Sequence, residues 1–258
     1  MLNYKVTYLT VALYLVILIT LRFVFGYPLP LWLFFLVLLT LPLYVWGAMN
    51  IRSGFYIPVR CEAATTEKVV ALSFDDGPLP EYTPLVLDIL QQQNAPAAFF
   101  CIGKHIAGNE NLLQRIHEEG HVIGNHSFSH DFWFDMYNKH RMLADLASMD
   151  QVMENATGLQ PRLFRPPYGV TNPNLAKAIK EGGYTPIGWN IRSLDTVAKD
   201  EQQLLGKIIS QLQPGAVILL HDTCSITARI LPALISAIRE KGYRLERIDK
   251  MLNVTAYA

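Results

Sequence analysis

The sequence predicts an α/β fold, a distorted (β/α) barrel of about seven units, preceded by an N-terminal transmembrane helical hairpin. From Lys68 onward, short apolar runs alternate with segments of helical spacing, which is typical of a parallel sheet covered by helices. About seven such units in roughly 190 residues favour a barrel over an open sheet. The first 50 residues differ in composition, because Lys5 and Arg22 are their only charged side chains.

Composition excludes several classes of protein. The chain has 258 residues, with 22 basic and 22 acidic side chains, and 51% of its residues are hydrophobic. It is too apolar for a disordered protein and too neutral to bind nucleic acid through charge, so no nucleic-acid partner is expected. The three cysteines, Cys61, Cys101 and Cys224, stand singly, which excludes a disulfide scaffold.

Two apolar runs, at about 6–25 and 30–49, form the predicted hairpin. Each is close to the length of about 20 residues that a helix needs to cross a bilayer. A cleaved signal peptide is the alternative for the first run, but no small-residue cleavage pattern follows it. We therefore expect residues 1–50 to be two transmembrane helices in contact with the lipid bilayer. Residues 51–66 are expected to be a linker, and residues 67–258 the folded domain.

The strands and helices of the domain follow from its apolar runs and its helical spacing. The predicted strands are 69–74, 97–102, 121–124, 163–164, 185–189, 216–220 and 243–248. The predicted helices are 82–93, 112–119, 136–155, 174–181, 202–211 and 226–240. Glycine follows several of these helices, as expected where a helix ends.

Polar side chains follow the strands, at the edge where folds of this class place their functional sites. Asp75 and Asp76 follow the first strand, His126 and His130 the third, Arg165 the fourth, Asp195 the fifth and His221 the sixth.

The two histidines and two aspartates could form a metal site. On a helical turn, His126 and His130 would share one face and could bind one cation, although this spacing is also common on protein surfaces. Adjacent aspartates in extended chain point to opposite sides, so one could bind metal while the other faces substrate. The alternative is that Asp75 and Asp76 only end a strand and cap a helix.

His221 and Arg165 each need a charged partner. His221 ends an apolar strand, and Asp195 or Asp222 could pair with it. Such a carboxylate would stabilise a packed histidine or raise the pKa of a catalytic acid. Arg165 precedes a rigid turn, and its position at a strand end favours pairing with a carboxylate.

These motifs, in this order, resemble the polysaccharide deacetylases, the NodB-homology domain of carbohydrate esterase family four. The resemblance covers about residues 67–250. Its motifs are Ser73–Pro78, His126–His130, Arg165–Gly169, Trp189–Asp195 and Leu219–His221. It implies a distorted barrel with fewer regular units than the eight of a complete (β/α) barrel.

The resemblance also implies a role for each residue of the site. Asp76, His126 and His130 would bind a divalent metal, with zinc the expected one. The catalytic residues would be Asp75 as general base, Arg165 as its partner, His221 as general acid and Asp195 as the residue that tunes it. The backbone N–H of Tyr168 would bind the oxyanion, and Leu219 would line the pocket for the acetyl methyl. The family has tryptophan where this chain has Thr196, so the wall of the sugar-binding groove differs here.

The expected function is that of a membrane-anchored, metal-dependent hydrolase that removes N-acetyl groups from a glycan. N-acetylglucosamine residues of peptidoglycan, or of a related polysaccharide, are the expected substrate. Such a substrate would place the catalytic domain outside the cytoplasmic membrane and Arg22 in a cytoplasmic turn. One alternative is a deacylase of a lipid-linked sugar, with Phe132, Trp133 and Phe134 in contact with lipid or sugar. The other interpretation of these three residues is ordinary packing under the next helix. The second alternative is a non-catalytic glycan-binding membrane protein, which predicts losses among the catalytic groups.

Overall fold

The structure is a computed structural model that describes residues 3–258. The described strands are β1 (Val69–Asp75), β2 (Ala97–Cys101), β3 (Val122–Asn125), β4 (Leu163–Phe164), β5 (Thr185–Pro186), β6 (Ile191–Arg192), β7 (Ala216–His221) and β8 (Arg244–Leu245). The α-helices are α1 (Tyr4–Phe25), α2 (Leu29–Met49), α3 (Thr83–Gln92), α4 (Gly103–Ile106), α5 (Glu110–Glu118), α6 (Lys139–Thr157), α7 (Pro173–Gly182), α8 (Glu201–Ser210), α9 (Ser225–Glu240) and α10 (Ile248–Leu252). Short 3₁₀ turns cover Phe134–Met136, Pro167–Gly169 and Asp195–Val197.

Seven parallel strands form a half-barrel in the order β5-β4-β3-β2-β1-β7-β6, and β8 pairs with the start of β1. This confirms the predicted distorted (β/α) barrel. Because all seven strands run the same way, their carboxyl ends meet at one edge. In the register of β1 with β7, Asp75 lies beside His221. Two motifs that are far apart in sequence therefore meet at this edge.

Strand alternation directs the catalytic side chains into the barrel. Along β1, Val70, Leu72 and Phe74 pack in the large apolar cluster with the surrounding helices, whereas Ala71 belongs to the cluster inside the barrel. Successive side chains of a strand point to opposite faces, so Asp75 shares the interior face with Ala71.

Several predicted element boundaries differ from the structure. The helix predicted over 136–155 begins at Lys139, because the Asn138 side chain caps it by accepting the N–H of Arg141 at 3.0 Å. The strand predicted over 243–248 is limited to the two residues of β8, and α10 begins at Ile248.

Arg60 explains a further difference, at the predicted strand 185–189. Only Thr185–Pro186 is strand there. The Arg60 N–H donates to the carbonyl of Pro186, and the Gly188 N–H donates to the carbonyl of Arg60. The backbone of residue 60 therefore supplies the pairing that a longer strand would have made.

The N-terminal hairpin consists of α1 and α2, of 22 and 21 residues. By length and composition both are candidate membrane spans, and few of their side chains are buried. At about 1.5 Å per residue each helix is about 32 Å long, which matches the hydrocarbon core of a bilayer. Gly26, with φ of 71°, ends α1 and allows the chain to turn back.

The segment 51–66, expected to be a linker, is packed against the barrel. Ile51, Phe55, Ile57 and Cys61 are buried in it. Glu62 forms an isolated bridge with Ala216 at the start of β7. The segment therefore joins the hairpin to the barrel without a flexible spacer.

Candidate active site

A cavity of about 230 Å³ opens at the carboxyl edge of the sheet. Its lining residues are Asp75, Asp76, His126, His130, Pro166, Tyr168, Gly169, Trp189, Arg192, Leu194, Thr196, Leu219 and His221. Seven of the nine predicted site residues are among them. The other two, Arg165 and Asp195, are buried directly behind Asp75 and His221 and bond to them. The structure thus brings the whole predicted set together.

Asp76, His126 and His130 form a possible metal site. Their ligand atoms all lie within 4.8 Å of one another. Oδ1 of Asp76 is 3.5 Å from Nε2 of each histidine. Nδ1 of His126 is 2.8 Å from the carbonyl of Arg165, so it donates there and leaves the Nε2 lone pair for a cation. One carboxylate and two imidazoles suit zinc and similar divalent metals, so these residues fit the predicted cofactor.

The two histidines meet because of a loop, and the predicted helical turn is wrong. His126 directly follows β3, and residues 126–130 have no helical structure. Ser127 and His130 have φ of 68° and 44°, so the chain turns back on itself. The Ser127 hydroxyl accepts the N–H of His130 at 2.9 Å, and Asp145 accepts the N–H of Phe128 at 2.7 Å. These bonds hold the loop in its left-handed conformation.

Electrostatics in the trio favour a bound cation. Burial would raise the pKa of Asp76, but its hydrogen bond with His126 and the neighbouring histidines outweigh this effect and lower the pKa. Burial and the nearby His126 lower the pKa of His130 to about 4, which leaves a neutral imidazole able to bind metal. Burial would also lower the pKa of His126, but Asp75 and Asp76 raise it overall. Those carboxylates thus attract a positive charge, which a divalent metal can supply in place of the proton.

Asp75 is held by a buried arginine. Nη1 of Arg165 donates to Oδ1 of Asp75 at 2.6 Å, and Nη2 donates to the carbonyl of Gly188 at 3.0 Å. The guanidinium is fully buried and lies 3.9 Å from the centre of the Phe100 ring. The other carboxylate oxygen, Oδ2, is 3.8 Å from Nε2 of His126. Asp75 therefore keeps one oxygen beside the metal site, where it can accept a proton.

His221 and Asp195 form a dyad on the opposite side of the pocket. Nδ1 of His221 donates to Oδ1 of Asp195 at 2.7 Å. Burial would lower the pKa of His221, but its hydrogen bond with Asp195 and the negative charges of Asp195, Asp75 and Asp76 raise it to about 9. His221 is therefore protonated at neutral pH, and Nε2 lies 4.0 Å from Oδ2 of Asp76. This arrangement can deliver a proton into the pocket.

Tyr168 and Leu219, both predicted to contact substrate, lie on the pocket wall. Tyr168 has φ of 57° and follows the rigid Pro166–Pro167 segment. Leu219 is the register partner of Arg192 in the pairing of β6 with β7. Gly169 lies against Trp189, and a Cβ at this glycine would be 2.7 Å from the indole ring. Glycine thus allows the indole to pack closely beside Tyr168.

Sequence reasoning missed some residues of the site. Arg192 and Leu194 line the pocket, and both lie inside the motif Trp189–Asp195, so their position in that motif was a usable signal. Leu194 stands near Thr196, the residue that replaces the family's tryptophan. Thr227 donates to Oδ2 of Asp195 at 2.6 Å from the first turn of α9, and nothing in its sequence context indicates that contact.

Comparison with known proteins agrees with this geometry. A family model described as polysaccharide deacetylase matches residues 62–187. A peptidoglycan-N-acetylglucosamine deacetylase of Bacillus cereus is 33% identical over 203 residues, covering 75% of this chain and 92% of the relative. The chain belongs to the polysaccharide deacetylase family. The peptidoglycan-N-acetylmuramic acid deacetylase PdaA of Bacillus subtilis is 33% identical over 194 residues, with 73% of each protein covered.

A solved structure extends the comparison to the fold. The crystal structure of the Bc1960 peptidoglycan N-acetylglucosamine deacetylase superposes with a TM-score of 0.74 at 28% identity, covering 78% of this chain and 95% of that one. The predicted family and fold are confirmed. As a member of this family, the chain is a hydrolase of amide bonds that removes N-acetyl groups from a glycan.

Proposed function

We propose that this protein is a membrane-anchored, zinc-dependent deacetylase of N-acetylglucosamine residues in peptidoglycan or a related polysaccharide. One observation carries the proposal. The Asp76–His126–His130 trio lies in one pocket with a carboxylate on one side and a protonated histidine on the other. Those are the groups that metal-assisted hydrolysis of an amide requires.

Each residue has a defined task in the proposed reaction. Asp76, His126 and His130 would hold the divalent metal, which would supply Lewis-acid chemistry to the amide carbonyl and the attacking water. Oδ2 of Asp75 accepts a proton from the attacking water while Arg165 holds Oδ1. His221 gives its Nε2 proton to the sugar nitrogen as the C–N bond breaks, so that acetate and a free amine leave.

Two further residues would hold the acetyl group. The backbone N–H of Tyr168 would donate to the carbonyl oxygen as negative charge develops on it. The acetyl methyl would lie against Leu219, which is almost completely buried in the pocket wall. The pocket has room for an acyl group and part of one sugar.

The named relatives support peptidoglycan as substrate. They act on N-acetylglucosamine in one case and on N-acetylmuramic acid in the other. N-acetylglucosamine is proposed here because the relative carrying that name is the one covered over 92% of its length.

The proposed location is the cell membrane, with two spans and the catalytic domain outside the cytoplasm. Two helices of membrane-spanning length and an envelope substrate support it. Arg22 would then lie on the cytoplasmic side. Protease added to sealed cells should digest the catalytic domain, and a protected domain would refute the envelope location.

Acetate release tests the catalytic proposal. The purified full-length chain in detergent should release acetate from peptidoglycan or chitooligosaccharides, and a chelator should stop the release until zinc is restored. Asp75→Asn should abolish release, since an amide cannot accept the water proton. Asp88→Asn is the matched control, because Asp88 is on the surface and pairs with Arg115. Metal-loaded wild-type protein that leaves both substrates intact would contradict the proposal.

A lipid-linked sugar is a second candidate substrate. The observation in its favour is that Phe132 and Trp133 are exposed beside the pocket mouth, while Phe134 alone of the three is packed in the core. Activity on a detergent-dispersed glycolipid with none on polymer would support it. A non-catalytic glycan-binding role has no such support, since no catalytic group is lost.

A further inference from the structure

The membrane hairpin docks directly on the barrel. The N–H of Tyr4, in the first turn of α1, donates to the carbonyl of Phe55 at 3.0 Å. At the end of α2, the carbonyls of Ala48 and Gly47 accept the N–H and the hydroxyl of Thr171, at 3.0 and 3.3 Å. The start of α1 is therefore bonded to the packed segment 51–66, and the end of α2 is bonded to the loop between β4 and α7 of the barrel.

This docking point is close to the catalytic pocket. Thr171 lies two residues beyond Gly169, which lines the pocket. Ile51 lies two residues beyond the end of α2, and its Cδ1 would be 3.8 Å from a Cβ at Gly169. Ile51 also packs in one cluster with Trp189 of the pocket wall. The helix end and the pocket are thus separated by about the thickness of one side chain.

An exposed apolar surface adjoins both the docking point of the hairpin and the catalytic pocket. Phe132, Trp133 and Met136, here called the rim, are 69%, 61% and 71% exposed. The rim contacts the pocket through the rings of Phe132 and Tyr168, whose centres are 6.2 Å apart. Its loop is tied to the docking segment, since Nδ2 of Asn172 donates to the carbonyl of Asp135 at 2.6 Å.

We propose that the rim lies in the headgroup region of the bilayer, so that the catalytic pocket opens at the membrane surface. The inference rests on the proposed membrane anchorage. Helices about 32 Å long bring Tyr4 and Met49 to one membrane face, and the barrel is bound to those same helix ends. Tryptophan favours this interface because its ring is apolar and its N–H is polar. In this position lipid covers the exposed apolar side chains of the rim, which water would otherwise contact.

The geometry also narrows the substrate class. A pocket held at the membrane surface reaches glycan that is still attached to lipid or lies against the membrane. It cannot swing outward into distant polymer, because the segment 51–66 is packed and not flexible. The proposed substrate is therefore membrane-proximal glycan bearing N-acetyl groups.

Tryptophan fluorescence tests the contact with lipid independently of activity. The full chain would be reconstituted in vesicles containing lipids brominated near the headgroup. Trp32 and Trp46 lie in α2 and should be quenched in every variant, whereas Trp189 is buried in the pocket wall. Trp133 should also be quenched, so Trp133→Phe should lower the quenched share of the emission below that of the wild type. The control W133F/L85W moves the fourth tryptophan to Leu85 on α3, and that emission should escape quenching. Equal quenching of wild type and Trp133→Phe would overturn the proposal.

Activity gives the second readout. W133S/M136S should lower the rate on an N-acetylglucosaminyl lipid in the same vesicles by about fivefold. The reason is that the rim then has less apolar surface with which to bind the bilayer and keep the pocket opening beside it. The rate on soluble chitooligosaccharides should be unchanged. An equal loss on both substrates would show that the rim binds glycan, and would overturn the proposal. If the wild type hydrolyses neither substrate, the deacetylase proposal fails, while the quenching result still decides the contact with lipid.

Discussion

The two sides of the catalytic pocket are built differently. On the metal side, three ligand atoms from Asp76, His126 and His130 converge, and each of these residues lies on a turn or loop after a strand. On the acid side, the Asp195 carboxylate accepts five hydrogen bonds, two of them from His221 and the others from Ser193, Thr196 and Thr227.

On the acid side, the protein itself supplies the group that acts, whereas on the metal side it supplies only ligands for a cofactor. The acid side has its hydrogen bonds in place before any ligand arrives, which is how a proton donor keeps a fixed orientation. The metal side gathers one carboxylate and two imidazoles at distances that a cation would bridge. Loss of a metal ligand should therefore remove the cofactor, while changes on the acid side should alter the pH dependence and leave the metal in place.

Of the substitutions that test this difference, His130→Ala should lower the rate of acetate release the most. Loss of one of three protein ligands should release the metal, and the rate should fall by about a thousandfold, because metal catalysis supplies several kcal/mol. Metal content by elemental analysis and acetate release would both be measured. His140→Ala is the matched control, since His140 is exposed on α6. Full metal occupancy in His130→Ala would refute the assignment of this ligand.

Asp195→Asn should act on the acid side alone. The Asp195 carboxylate is the largest of the influences that raise the pKa of His221 to about 9, so a neutral amide should lower that pKa. His221 must be protonated to donate, and activity is therefore lost as the pH rises through that pKa. The alkaline limb of kcat/KM should move to lower pH, with a rate loss of about a hundredfold at neutral pH. Metal content should stay at the wild-type value, and an unmoved alkaline limb would contradict the role of Asp195.

The same contrast shows how far sequence could predict the site. Asp75 and His221 end apolar runs whose strands are parallel neighbours, so strand periodicity and the βα alternation were enough to place them at one edge. The loop 126–130 was misjudged because spacing alone cannot distinguish a helical turn from a loop with left-handed residues. That distinction depends on bonds such as the one from the His130 N–H to Ser127.

The packing of the segment 51–66 was missed for a related reason. Ile51, Phe55 and Ile57 are apolar, but they follow no strand or helix period. The partners of Ile51 and Ile57 come from distant parts of the chain and include Trp189 and Phe134 respectively. A segment without periodicity that is buried by long-range contacts carries no local signal, and it was therefore expected to be a linker.

Thr227→Val should give the smallest effect and tests whether the hydrogen bonds to Asp195 hold the dyad in place. The hydroxyl is fully buried and donates to Oδ2 of Asp195 at 2.6 Å. Valine keeps the shape and removes the donor, so the carboxylate loses one of its bonds, worth about 1.5–3 kcal/mol for a charged group. We expect the melting temperature to fall and kcat to drop by about three- to tenfold, with KM unchanged. With one donor fewer, the Asp195 carboxylate becomes more basic and should raise the pKa of the His221 ring, which bonds to Oδ1. The alkaline limb of the pH profile should therefore move slightly upward, opposite to the shift in Asp195→Asn. Thr227→Ser keeps the donor and should restore both kcat and the pH profile; if it fails to do so, Thr227 acts through packing and not through the Asp195 hydrogen bond.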